Sequence, residues 1–139
     1  MHLSRFQKIT LGLSGVTALA IGLSILLMPH AFYASYGITL DHSPNLMSEL
    51  RAPGAGLASF GAIMLSGVWR AALAPLAFKV ALTVYLSFPA GRVVSLLADG
   101  VPSSNILWAL AIEVALAGLL LGAFGWRSSP GAGGARLAG

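Results

Sequence analysis

Residues able to do chemistry are few in this chain, and most of them sit where charge is disfavoured. Charged side chains make up 9% of 139 residues, and cysteine is absent. Glu49 and Arg51 open one apolar run, and Glu113 stands alone in the last. Between them the segment Pro89–Pro102 carries Arg92, Ser95 and Asp99, whose spacing puts them on one helical face. Such a set offers two kinds of chemistry. Glu113 or Asp99 could act as an acid or base on a bound lipid, for instance in a double-bond isomerisation, with Arg92 anchoring an anion or a carbonyl. Alternatively the same groups pair with one another and line a binding pocket.

Other chemistries are excluded or unsupported. Without cysteine there is no disulfide, thiolate metal site or thiol nucleophile. His30 and His42 lack further ligands at metal-binding spacing, so no metal and no cofactor is expected. No Ser/His/Asp arrangement is placed for nucleophilic attack. The glycines follow no strand, so they form no phosphate loop. The net charge of +4 comes without a basic run or aromatic platform for nucleic acid.

The elements that must position these residues are membrane helices. The hydrophobic fraction is 57% and the mean hydropathy +0.85, whereas about a quarter of the residues in a soluble domain are charged. Four apolar runs are each long enough to cross a bilayer, which takes about 20 helical residues. The expected spans are 9–28, 49–69, 75–97 and 105–126, with a polar head over 1–8 and a disordered Gly/Ala/Ser/Pro-rich tail over 128–139. The first run is too long for the core of a cleaved signal peptide. The connector 29–48 holds Phe32, Tyr33 and Tyr36, read as an interfacial aromatic belt. Pro53 falls in the first turn of the second span, where a missing N–H costs little, and Pro89 inside the third, where a kink is expected.

Small residues form stripes for close packing: Ser14, Ala18 and Gly22; then Ala52, Ala55, Gly56, Ser59 and Ala62; then Ala111, Ala115, Gly118, Gly122 and Gly125. Arg5, Lys8, Arg70, Lys79, Arg127 and Arg136 fall on one side of the membrane, and Arg51 and Arg92 near the other. The positive-inside rule then puts both termini in the cytoplasm. The expected fold is an all-α, up-down four-helix transmembrane bundle.

This topology draws Glu49, Arg51, Arg92, Ser95, Asp99 and Glu113 into its outer half, with Glu113 about 10 Å deep at 1.5 Å per residue. Unpaired charges at the centre of a membrane helix cost roughly 2.5–3.5 kcal/mol each, so they should face inward and pair. Arg92 is expected to pair with Glu113, and Arg51 with Glu49 or Asp99. Three readings follow: a cluster that only locks the bundle, a site for a membrane lipid or small lipophile, and an enzyme working on such a molecule. A partner subunit or a homodimer is a further expectation, since small-residue stripes serve both.

The run Glu49-Leu50-Arg51-Ala52-Pro53-Gly54-Ala55-Gly56, then Gly91-Arg92, Ser95, Asp99-Gly100 and Pro102, then Glu113, resembles a bacterial four-helix membrane family known only as a domain of unknown function, related to DoxX-like proteins. The resemblance covers about residues 7–127, with Pro53 departing from the family pattern. It implies a multi-pass protein of the bacterial inner membrane. DoxX-like relatives include membrane subunits of quinone-linked oxidoreductase systems, which implies a subunit or quinone-neighbouring role.

Overall fold

The computed structural model describes residues 2–125. The tail over 128–139, Trp126 and the arginines Arg127 and Arg136 lie outside the described residues. Four long helices, Arg5–Leu27 (α1), Pro44–Trp69 (α3), Ala74–Asp99 (α4) and Ser104–Phe124 (α5), are joined by a short helix, Pro29–Ala34 (α2), and a 3₁₀ turn, Ala71–Leu73. The four long helices are apolar and long enough to cross a membrane, and the described residues hold no strand. The described residues are all-helical, and the chain is a multi-pass membrane protein.

Local chemistry sets the helix starts earlier than hydropathy does. Ser4 Oγ accepts from the Gln7 amide at 3.1 Å while Gln7 Oε1 accepts from the Ser4 amide at 3.0 Å. This capping box starts α1 at Arg5, inside the polar head. Ser43 caps α3 through the Leu46 amide at 3.2 Å, with Pro44 as the first helical residue. The helix therefore begins at Pro44 rather than Glu49, and Pro53 lies in its interior rather than its first turn. The connector also contains a helix that hydropathy does not show. Pro29 opens α2, and Gly37, at φ +76°, ends it with paired bonds from Ile38 N to Tyr33 O and from Gly37 N to Ala34 O, each 3.0 Å. Helix α4 continues across Pro89 to Asp99, where Gly100 at φ +99° adopts a conformation open almost only to glycine.

The helices form a ring in the order α1, α3, α4, α5, with α5 returning to α1. Successive long helices run in opposite directions. At one end Gln7 Nε2 donates to the Ala123 carbonyl at 3.0 Å. At the other, Asn105 Nδ2 donates to the Ser35 carbonyl at 2.8 Å, and the α5 N-cap Ser103 turns its hydroxyl to the Tyr36 carbonyl at 3.4 Å. The second end, which carries α2, is called the α2 end below.

Helices α1 and α3 make the closest approach in the bundle. A Cβ on Gly22 would stand 2.3 Å from Ala58 N, and one on Gly61 2.5 Å from Leu19 N. Ser14, Ala18 and Gly22 are all buried, but of the three it is Gly22 that lies in this seam, while the Ser14 carbonyl meets Tyr85 of α4 and Ala18 lines the cavity described below. The α3 face is Gly54, Ala58 and Gly61, not the stripe Ala52, Ala55, Gly56, Ser59 and Ala62, of which Ala52, Ser59 and Ala62 are exposed. Glycine permits a shorter interaxial distance than alanine, so the glycine register wins. Helix α5 likewise buries Leu116, Ala117, Leu120 and Ala123 and leaves Ala111, Ala115, Gly118, Gly122 and Gly125 exposed. Its neighbours are further off and need larger side chains to fill the space, as the stacked rings of Phe78 and Phe124 do at 4.7 Å between centroids.

Candidate functional site

Arg92 and Glu113 lie on adjacent antiparallel helices at matched depth. Arg92 is seven residues from the end of α4, and Glu113 nine from the start of α5. At 1.5 Å per residue both lie about 10–14 Å from the α2 end. Their side chains meet as a fork: Arg92 Nε donates to Glu113 Oε2 and Nη2 to Oε1, both at 2.8 Å. This two-point geometry is the strong form of an arginine–carboxylate bond. The arginine side chain keeps 31% of its surface exposed and the glutamate 13%. Arg92 Nη1 has no protein partner among the described residues.

The other charged groups singled out in the sequence do not join this pair. Arg51 is exposed, and its Nη1 donates to the Leu26 carbonyl, not to Glu49 or Asp99. The reason lies in α1, which has no basic residue in its own last turn. Its terminal carbonyls and negative dipole end attract a cation, and Arg51 supplies it from the neighbouring helix. Glu49 is exposed and makes no ion pair among the described residues. Asp99 is exposed at the end of α4, where Ser95 Oγ donates to its Oδ2 at 3.1 Å. Of the acidic residues, only Glu113 therefore faces the bundle interior with an arginine.

What adjoins the pair is a cavity of about 730 Å³. Thr17, Ile21 and Ile25 of α1, Phe88, Arg92 and Ser95 of α4, and Ile106, Leu110 and Glu113 of α5 line it. Phe32, Tyr33 and Tyr36, from α2 and the turn after it, close it at the α2 end. The aromatics read from the sequence as an interfacial belt thus form a cap on the cavity. Only the end signal at Gly37, a tight turn shortly after Pro29, marks this in the sequence. At the opposite end the floor includes Tyr85, 4% exposed, whose hydroxyl donates to the Ser14 carbonyl at 2.6 Å.

The electrostatics of the cap follow from the same geometry. Burial pushes the Tyr33 phenol above its ordinary range, the neighbouring Tyr36 adds to this, and Arg92 opposes it. Neither the Tyr33 nor the Tyr36 hydroxyl has a protein partner among the hydrogen bonds of the described residues. The histidines lie beside the cap: His30 of α2 and His42 stack with ring centroids 4.4 Å apart. No group of three possible metal-ligating side chains occurs among the described residues.

The chain belongs to the family described as Domain of unknown function (DUF4345), whose family model matches residues 6–124. Neither the curated proteins nor the solved structures contain a match to it.

Proposed function

We propose that this protein binds a small lipophilic molecule in the cavity between α1, α4 and α5, with α2 as its cap and the Arg92–Glu113 fork as its polar wall. One observation carries the reading. A cavity of about 730 Å³ adjoins the fork in the half of the bundle nearer the α2 end. Ligand pockets run to about 300–1,000 Å³ and combine apolar walls with a few convergent polar groups. The bilayer is the nearest source of such a molecule, because Phe88, Leu107 and Ile112 line the cavity and are also exposed on the bundle surface.

The geometry favours binding over acid/base catalysis. Both Glu113 oxygens accept from Arg92, so the carboxylate is committed to a strong two-point bond within the protein rather than aimed at a bound molecule. A quinone-linked role rests on resemblance alone, and the cavity supports the broader class of lipophile. Lysine and arginine placement supports an orientation with the α2 end outside, and the resemblance alone supports a place in the bacterial inner membrane. Purification in mild detergent, followed by mass spectrometry of the organic extract, tests the reading. A stoichiometric molecule is expected from the wild-type chain. It should be lost when Ala109, in the cavity wall, is changed to phenylalanine in a variant that still folds. Recovery only of bulk membrane lipid in bulk proportions, unchanged in Ala109→Phe, would overturn it.

A further inference from the structure

We infer that the ligand is a lipid with an uncharged head bearing a hydrogen-bond acceptor such as an ester or ketone carbonyl. This rests on the binding reading above and narrows it. The charges in the cavity wall are one guanidinium and one carboxylate, and they neutralise each other through two bonds of 2.8 Å. An anionic head would have to be desolvated into a site whose positive charge is already matched, or displace Glu113 and leave that carboxylate unpaired. A cationic head meets the converse problem at Arg92. A head with no polar atom would leave the free donors of the wall without partners, which also costs.

Those donors select an acceptor. Arg92 Nη1 and the hydroxyls of Thr17, Tyr33 and Tyr36 line the cavity without protein partners among the described residues, and an arginine nitrogen can only donate. A carbonyl oxygen accepts from Nη1 while the fork stays closed. The tail would lie along Ile21, Ile25 and Leu110. The cavity has room for about 20 non-hydrogen atoms at roughly 30 Å³ each, the size of one acyl chain with a small head. No bond is made or broken in this binding.

Native mass spectrometry of the full chain, released from detergent with an equimolar mixture of methyl hexadecanoate, hexadecanoate and heptadecane, separates the outcomes. The ester is expected at one per chain, about tenfold over the alkane, the discrimination of a single hydrogen bond from a charged donor, and in excess of the anion. In the variant Arg92→Met/Glu113→Leu both ester and alkane should bind with the ester preference gone. Preference for hexadecanoate would overturn the neutral head. Equal binding of ester and alkane would overturn head recognition while leaving the cavity reading standing. An ester preference that survives in the double variant would remove Arg92 from the head site. Binding of none of the three would overturn the cavity reading, and this inference with it. The wild-type mixture alone decides the ligand class if the double variant does not fold.

Discussion

Replacing Glu113 with glutamine removes the charge that Arg92 is matched to and keeps the side-chain shape. Breaking a buried pair by removing one partner costs about 3–5 kcal/mol, because the remaining charge is stranded. Arg92 keeps 31% of its side-chain surface exposed, and partial solvation lowers that figure, so about 2 kcal/mol is expected. Removing both partners should behave differently. Arg92→Met/Glu113→Leu leaves no stranded charge and puts apolar atoms against apolar walls, so it should fall within about 1 kcal/mol of the wild type. The assay is reversible unfolding in mixed micelles, with Glu49→Gln as the control. Glu49 is exposed and outside the pair, so its change should stay within about 0.5 kcal/mol. The reasoning fails if Glu113→Gln costs no more than Glu49→Gln. It also fails if the double variant is as damaged as the single one, because the cost would then not come from a stranded charge.

Three further outcomes follow from the packing and the cap. Gly22→Ala should destabilise by about 1–3 kcal/mol, the range for overpacking, since its Cβ would stand 2.3 Å from Ala58 N. Gly118→Ala, with nothing within 4 Å, should be neutral or stabilise by up to about 1 kcal/mol through helix propensity; the same unfolding assay compares them, and equal effects would refute the α1–α3 approach. Arg51→Ala should lose about 0.5–1 kcal/mol by uncapping α1, an effect that shrinks in high salt, while Arg51→Lys keeps most of it. The Tyr33 phenol is held above its ordinary range, so its neutral form favours the folded state. That contribution is complete below about pH 10, the unfolded value, and is lost as pH rises through the folded one. Tyr33→Phe should therefore flatten the alkaline fall in stability, and an unchanged pH profile would count against the buried cap.

The class of fold was legible because apolar length is a strong signal: in lipid, runs of this length can satisfy their backbone only as helices. The terminal turns were not. Ser4 with Gln7, and Ser43 with Pro44, extend α1 and α3 into segments that hydropathy assigns to head and connector. The choice of packing face was also hidden, because Ala52, Ala55 and Ala62 and Gly54, Ala58 and Gly61 lie on the same helix with similar composition. What separates them is the geometry of α1, which brings Leu19 and Gly15 against Gly61. At the site, a lone arginine and a lone glutamate at matching depth on antiparallel helices were readable as facing one another. The partner of Arg51 was not, since a backbone carbonyl such as that of Leu26 leaves no mark in residue identity.

The cavity bears on whether the fork is only a register lock. Locking two helices requires the pair and its two bonds, and nothing more. Protein interiors otherwise pack to a density near that of organic crystals, and each unfilled volume costs stability, at about 24 cal/mol per Å³ in an apolar core. A lock would be cheapest with large side chains around it. Here the wall positions next to the fork include Gly91 and Ala109, and the residues that close the space come from α2, a separate short helix held to the start of α5 by Asn105 and Ser103. The bundle thus leaves room beside the Arg92–Glu113 pair and covers that room with a separate short helix. A lock needs neither feature, whereas both fit the binding site proposed above.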